Sequence, residues 1–323
     1  MSIRRTAFAV TTEDLTYHVA DRIPLAATIY RPEGPGPFPG VVSVHGGRWC
    51  AETRYTNQAL DRALAQRGIV VMAIDFRLPP AARYPLPVGD INLAIRWFKR
   101  HAAHYQVAVA AIGGIGTSSG GHQLLLNALL PEDPRYSVEE LQAGCDRVGA
   151  HARIEGRVDE GGGDERDCGV DDEVDNVTDD SVNASLAYLV ACWPVSDPLA
   201  RYRYALERAM DVHIQSHHAY WPDVAAMAEG SPQRIVEQGE ATHLPPLLII
   251  QGGRDIVLTP DMAERFFAAY SCASADVTLE KYPDEGHTFI TKNPMSTASQ
   301  VAIGSIGDFI LARAELPPSL DAG

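Results

Sequence analysis

Val107-Ala-Val-Ala-Ala-Ile-Gly-Gly-Ile-Gly-Thr-Ser-Ser-Gly-Gly-His122 is the stretch on which the fold turns. An apolar, β-branched run leads directly into Gly116-x-Ser118-x-Gly120 and then into Leu124-Leu-Leu126, an apolar helical pattern. A serine on such a strand-to-helix turn has demanding backbone angles. Small residues two before and two after it let neighbouring chain come close. Its hydroxyl then stands clear of the sheet at the positive end of the following helix. Ser118 fits this frame, whereas Ser119 has Thr117 at the position two before it.

The surrounding sequence repeats the same rhythm. Strand-like runs fall at 15–20, 25–30, 40–45, 69–75, 107–113, 187–192, 246–251 and 277–282, and helix-like segments at 57–66, 88–101, 119–130, 261–270 and 300–314. The run Ile69-Val-Val-Met-Ala-Ile74 and the run Leu247-Leu-Ile-Ile250 are apolar on both faces, as parallel strands covered by helices on each side must be. The first two strands alternate more and are joined by Asp21-Arg-Ile-Pro24, which reads as an antiparallel edge hairpin. The expectation is an α/β fold: a mostly parallel, twisted, eight-stranded sheet with helices on both faces, in a single domain spanning 1–323.

Two segments break the rhythm. Residues 144–184 hold thirteen Asp or Glu against four Arg, a local charge of −9. Subtracting it from the chain's −15 leaves −6 for the remainder, and the segment reads as an acidic, flexible insertion. A calcium loop at Asp171-Asp-Glu-Val-Asp175 lacks the turn glycine and the terminal bidentate Glu. Residues 199–244, rich in Tyr, His, Met and Trp and without a strand signal, read as a small helical cap.

A serine hydroxyl needs a base oriented by a carboxylate. After the strand at 246–251 comes Gly252-Gly-Arg-Asp255, and after the strand at 277–282 comes Pro283-Asp-Glu-Gly-His287. Ser118, Asp255 and His287 each lie just beyond a strand end, in the chain order Ser, Asp, His, at the sheet edge where catalytic groups of open α/β sheets collect. Asp197 in Trp193-Pro-Val-Ser-Asp197 competes for the acid's role, because it follows a strand one earlier. Asp284 and Glu285 share the histidine's own loop and read as solvated. Upstream, Val44-His45-Gly46-Gly47 offers a loop whose Gly46 and Gly47 amides can meet an oxyanion, with Ser119 N–H as a third donor and His45 fixing the loop.

Together His45-Gly-Gly-x-Trp49, Asp75-Phe-Arg77-Leu-Pro-Pro80, Tyr84-Pro-Leu-Pro-Val-Gly-Asp90, Gly116-x-Ser118-x-Gly120, Gly252-x-x-Asp255 and Gly286-His287 resemble the serine carboxylesterases of the α/β-hydrolase superfamily, in its hormone-sensitive-lipase-like and feruloyl-esterase-like group. The resemblance covers 20–140 and 185–312. It implies the α/β-hydrolase fold, hydrolysis of carboxylic esters, the triad Ser118, Asp255 and His287, and the donors Gly46, Gly47 and Ser119. Arg48 stands where lipase-type members carry a third glycine, and the acidic insertion is foreign to the pattern.

Trp49, Trp193, Tyr220 and Trp221 are candidates for walling the substrate pocket, with cap-to-core packing as their alternative role. Arg48 is read as meeting solvent, with a substrate carboxylate as the alternative; Asp75 and Arg77 as an ion pair with Asp90 at the helix entry; His122 as a hydrogen-bonded core residue. His213 and His217 have metal-ligand spacing but no third ligand, so no metal and no cofactor is expected. The partner expected is a small-molecule ester. The acidic balance argues against nucleic acid, no run of eighteen apolar residues exists, and a homodimer is allowed but not specified. Five cysteines at irregular spacings, Cys50, Cys145, Cys168, Cys192 and Cys272, fit reduced thiols and a cytoplasmic setting.

Overall fold

A computed structural model describes residues 7–136, 182–273 and 275–314. Eight strands form one sheet: β1 (Val10–Ala20), β2 (Ile23–Pro32), β3 (Phe38–Val44), β4 (Val70–Ile74), β5 (Val107–Thr117), β6 (Leu189–Cys192), β7 (Leu247–Gly252) and β8 (Val277–Tyr282). Their spatial order is β1-β2-β4-β3-β5-β6-β7-β8. β1 and β2 form the antiparallel hairpin at one edge, β2 runs antiparallel to β4, and every other pairing is parallel. All seven residues of β3 and all five of β4 are buried, which explains why those runs carry no polar alternation.

Helices fill the connections: α1 (Gln58–Ala65), α2 (Leu86–Arg100) and α3 (Ser119–Leu129) in the first half, and α8 (Met262–Cys272), α9 (Phe289–Lys292) and α10 (Thr297–Arg313) in the second. α2 packs against α3, and α1 against α10. Between β6 and β7 lie α4 (Pro198–Glu207), α5 (Asp211–Tyr220), α6 (Val224–Glu229) and α7 (Pro232–Glu237). Their starts are written in the sequence. Asp197, Asp223 and Ser231 each accept a hydrogen bond from the amide three residues on, and proline opens α4 and α7. This is the α/β-hydrolase fold.

The structure departs from expectation in two places. β5 does not stop at Gly113 but runs to Thr117. Glycine at 113 is there for packing: a Cβ would lie 2.1 Å from the Tyr188 ring. Asp75 and Arg77 do not pair with each other. Asp75 is held by Arg54, whose backbone N–H donates to Asp75 Oδ1 at 2.7 Å. Arg77, 5% exposed in its side chain, forks onto Asp90 through Nε (2.9 Å) and Nη2 (2.7 Å) and reaches Asp21 through Nη1 (2.6 Å). The acidic stretch and the calcium-loop candidate lie outside the described residues, apart from 182–184.

Candidate active site

Ser118 is the single residue between β5 and α3, with φ +51° and ψ −119°. A non-glycine residue keeps such angles only where its surroundings over-determine them. Here they do. Ser118 N–H donates to Cys192 O at 2.9 Å, and Ser118 O accepts from the amides of His122 (3.1 Å) and Val195 (3.4 Å). Gly120 lies so close to the preceding loop that a Cβ would stand 2.1 Å from His45 O. The turn therefore needs glycine two residues after the serine, and the first turn of α3 is pressed against the loop carrying Gly46.

The loops after β7 and β8 complete a hydrogen-bonded chain. Ser118 Oγ lies 2.9 Å from His287 Nε2, and His287 Nδ1 lies 2.7 Å from Asp255 Oδ2. The Asp255 side chain is 4% exposed and also accepts from Val257 N–H (2.8 Å) and Gln251 Nε2 (3.0 Å). Burial alone would raise its pKa; the hydrogen bond and charge of His287, with the Val257 and Gln251 donors, outweigh this and leave it lowered. An ionised Asp255 fixes the proton on Nδ1, so the lone pair of Nε2 faces the serine hydroxyl. The competing acids are occupied elsewhere. Asp197 caps α4 and meets Arg265 at 3.3 Å; Asp284, 83% exposed, meets Arg254. Glu285 contributes its backbone carbonyl to Arg254 N–H.

The loop after β3 faces the serine. Its tight path shows in the positive φ of Gly47 (+103°), Arg48 (+57°) and Trp49 (+64°). His45 Nδ1 donates to Gly46 O at 2.8 Å while its ring stacks on Phe76, and burial lowers its pKa, keeping it neutral. The Gly47 carbonyl accepts from Cys50 and Ala51 N–H, and Trp49 N–H donates to Ser119 Oγ at 3.0 Å, tying the loop to the start of α3. Among the described residues no acceptor takes the amides of Gly46, Gly47 or Ser119. A cavity of about 540 Å³ opens here, lined by Gly46, Gly47, Arg48, Ser118, His213, His287, Thr288 and Lys292 among others.

Residues 28–270 match the BD-FAE family, three quarters of the chain. The chain belongs to the BD-FAE family. Among curated relatives it is similar to esterase LipC of Mycobacterium tuberculosis, 28% identical over 258 residues, 78% of this chain and 53% of LipC. It is also similar to an acetyl esterase of Salmonella paratyphi B, 34% identical over 91 residues, 28% of each chain. The chain thus spans about half the length of LipC and less of the other. In solved structures its fold is that of an esterase of Thermogutta terrifontis bound to propionate, TM-score 0.67 at 20% identity over 95% of this chain and 96% of that one. An esterase of Pyrobaculum calidifontis gives TM-score 0.67 at 20% identity over 94% and 86%.

In this BD-FAE chain the four aromatic pocket candidates take their other role. Trp49, Trp193, Tyr220 and Trp221 are all at most 1% exposed, and none lines the cavity around Ser118. Trp49 stacks on Tyr220 (5.4 Å between ring centres) and meets Trp221 edge-on (5.8 Å), while Trp193 lies behind His287. Trp49 Nε1–H donates to His122 Nδ1 (3.1 Å), and His122 Nε2–H donates to Gly230 O (2.8 Å), with burial pushing the histidine pKa down to about 4. The cluster bolts the helices of 198–237 to the loop bearing Gly46 and Gly47. His213 and His217 diverge: His213 lines the cavity, and His217 packs between Trp49 and Tyr202. Sequence reasoning missed Gln251, whose only signal is its place at the end of β7, and Arg201, 1% exposed beneath Trp49.

Proposed function

We propose that this protein hydrolyses carboxylic esters of small substrates through an acyl-enzyme on Ser118, with the helices of 198–237 acting as a cap. The observation that carries the reading is the unbroken chain from Ser118 Oγ to His287 to Asp255, opening into the cavity lined by Gly46 and Gly47. His287 Nε2 takes the hydroxyl proton as Ser118 attacks the ester carbonyl. The amides of Gly46, Gly47 and Ser119 receive the oxyanion, and losing one such donor slows turnover by about a hundredfold or more. The imidazolium, held by ionised Asp255, then protonates the departing alcohol. Water attacks the acyl-enzyme by the same route and releases the acid. A reducing, cytoplasmic setting belongs to the proposal and rests on the free thiols of Cys50, Cys192 and Cys272. No helix among the described residues is long and apolar enough to cross a membrane.

Relay geometry does not choose between leaving groups. Matched aryl ester, aryl amide and peptide substrates, assayed in parallel, test the choice. Ester turnover is expected to dominate and to fall at least about 10⁴-fold in Ser118→Ala. Amide or peptide turnover exceeding that of the ester, or an active Ser118→Ala variant, contradicts the proposal.

A further inference from the structure

The cavity around Ser118 carries an imbalance of charge that ester cleavage itself does not use. Arg48 lines it, half-buried, with its Nε shut off from water and without a hydrogen-bond acceptor. No carboxylate among the described residues pairs with this guanidinium. A buried N–H without an acceptor carries a desolvation cost that a bound anion would offset.

The neighbouring groups sharpen the imbalance. Lys292 adds a second cation at the exposed rim. Arg201 lies nearby, buried, with His217 and the Trp49 ring as its contacts in place of an acid. Burial and the charges of Arg201 and Arg48 push His213 down to about 4, so this wall stays neutral. Of the two carboxylates at hand, Asp255 is committed to His287, and Glu52 is exposed and accepts from Thr56 Oγ1 at 3.1 Å. The site is therefore locally positive in a chain whose formal charge is −15.

We infer that the preferred substrates are esters carrying a second, anionic carboxylate, which Arg48 receives while Ser118 attacks the ester carbonyl. This deepens the ester-hydrolase reading and rests on it. A guanidinium fork suits a carboxylate in two parallel hydrogen bonds, and one charged hydrogen bond made in this setting is worth about ten- to a hundredfold in affinity. Arg48 occupies the position directly after Gly47. A substrate carboxylate there also holds the reacting carbonyl against the Gly46 and Gly47 amides.

The test compares kcat/KM for two matched pairs. Mono-(4-nitrophenyl) glutarate is set against 4-nitrophenyl pentanoate, placing the charge on the acyl side; 3-acetoxybenzoate is set against phenyl acetate, placing it on the alcohol side. The wild type is expected to favour the anionic member of one pair by about tenfold or more. Arg48→Gln is expected to collapse that ratio to near unity, Arg48→Lys to retain part of it, and added salt to shrink it in the wild type. Competitive inhibition of the wild type by glutarate, stronger than by glutaramide, supports the same conclusion without any variant. No anionic preference in either pair, or a ratio that survives in Arg48→Gln, overturns the inference. Turnover of the neutral esters shows separately whether the hydrolase reading itself stands.

Discussion

A serine hydroxyl holds its proton at neutral pH, so the reactivity proposed for Ser118 is created by what surrounds it. Asp255 is the quietest member of the chain and the most informative to change. Asp255→Asn keeps the shape of the side chain but lets the amide favour the wrong tautomer of His287. A fall of about 10⁴-fold in kcat for an aryl ester is expected, with the far-ultraviolet spectrum unchanged. Asp197→Ala, which removes a helix cap from an acid outside the relay, is expected to keep kcat within about threefold and to cost roughly 1 kcal/mol of stability by urea titration.

A second aspartate makes a claim about stability. Asp61 on α1 is fully buried, and neither of its oxygens has a hydrogen-bond partner. Burial pushes its pKa up to about 8, against a smaller downward pull from the nearby Ser43 hydroxyl. The folded protein keeps a proton that the unfolded chain releases above about pH 4. Stability from this group is therefore greatest at low pH and is lost as pH rises towards 8, at no more than roughly 1.4 kcal/mol per pH unit. Asp61→Asn has no proton to lose. Urea unfolding at pH 5 and pH 8.5 is expected to show the variant gaining on the wild type by a few kcal/mol between the two. A difference independent of pH contradicts the account.

At the scale of elements, the candidate site was legible in the sequence where the proposed chemistry calls for a residue type. Ser118, Asp255 and His287 follow β5, β7 and β8, and the two glycines flanking Ser118 are dictated by backbone contact. What was not legible depends on packing between segments distant in the chain. The continuation of β5 past Gly113 was one such case: glycine is needed at 113 and 114 because the Tyr188 ring and Leu124 occupy the space of their side chains. Trp49, Tyr220 and Trp221 have pocket chemistry, yet α5 brings the latter two onto the former and buries all three. Arg77 chose Asp90 on α2 over its neighbour Asp75, a choice only the arrangement of β4 and α2 reveals. That buried fork anchors the loop after β4. Asp90→Ala leaves the guanidinium with only Asp21, and a loss of about 3–5 kcal/mol is expected by urea titration.

For the whole molecule, eight strand positions and the hairpin at one edge followed from the alternation of apolar runs. The order of strands within the sheet, with β3 between β4 and β5, could not be read from periodicity, because burial on both faces erases the pattern that would rank them. The acidic segment is proposed to be dispensable for chemistry. Deleting 147–180 is expected to leave kcat for a small ester within about twofold, measured on purified protein of unchanged melting temperature.

The central claim is that one hydroxyl, at 118, carries the acyl group. Peptide mapping after treatment with a fluorophosphonate reads this directly. The account predicts one equivalent of label per chain, on Ser118, slowed by orders of magnitude in His287→Gln and absent in Ser118→Ala. Label on any other residue, or undiminished labelling when His287 is replaced, contradicts it.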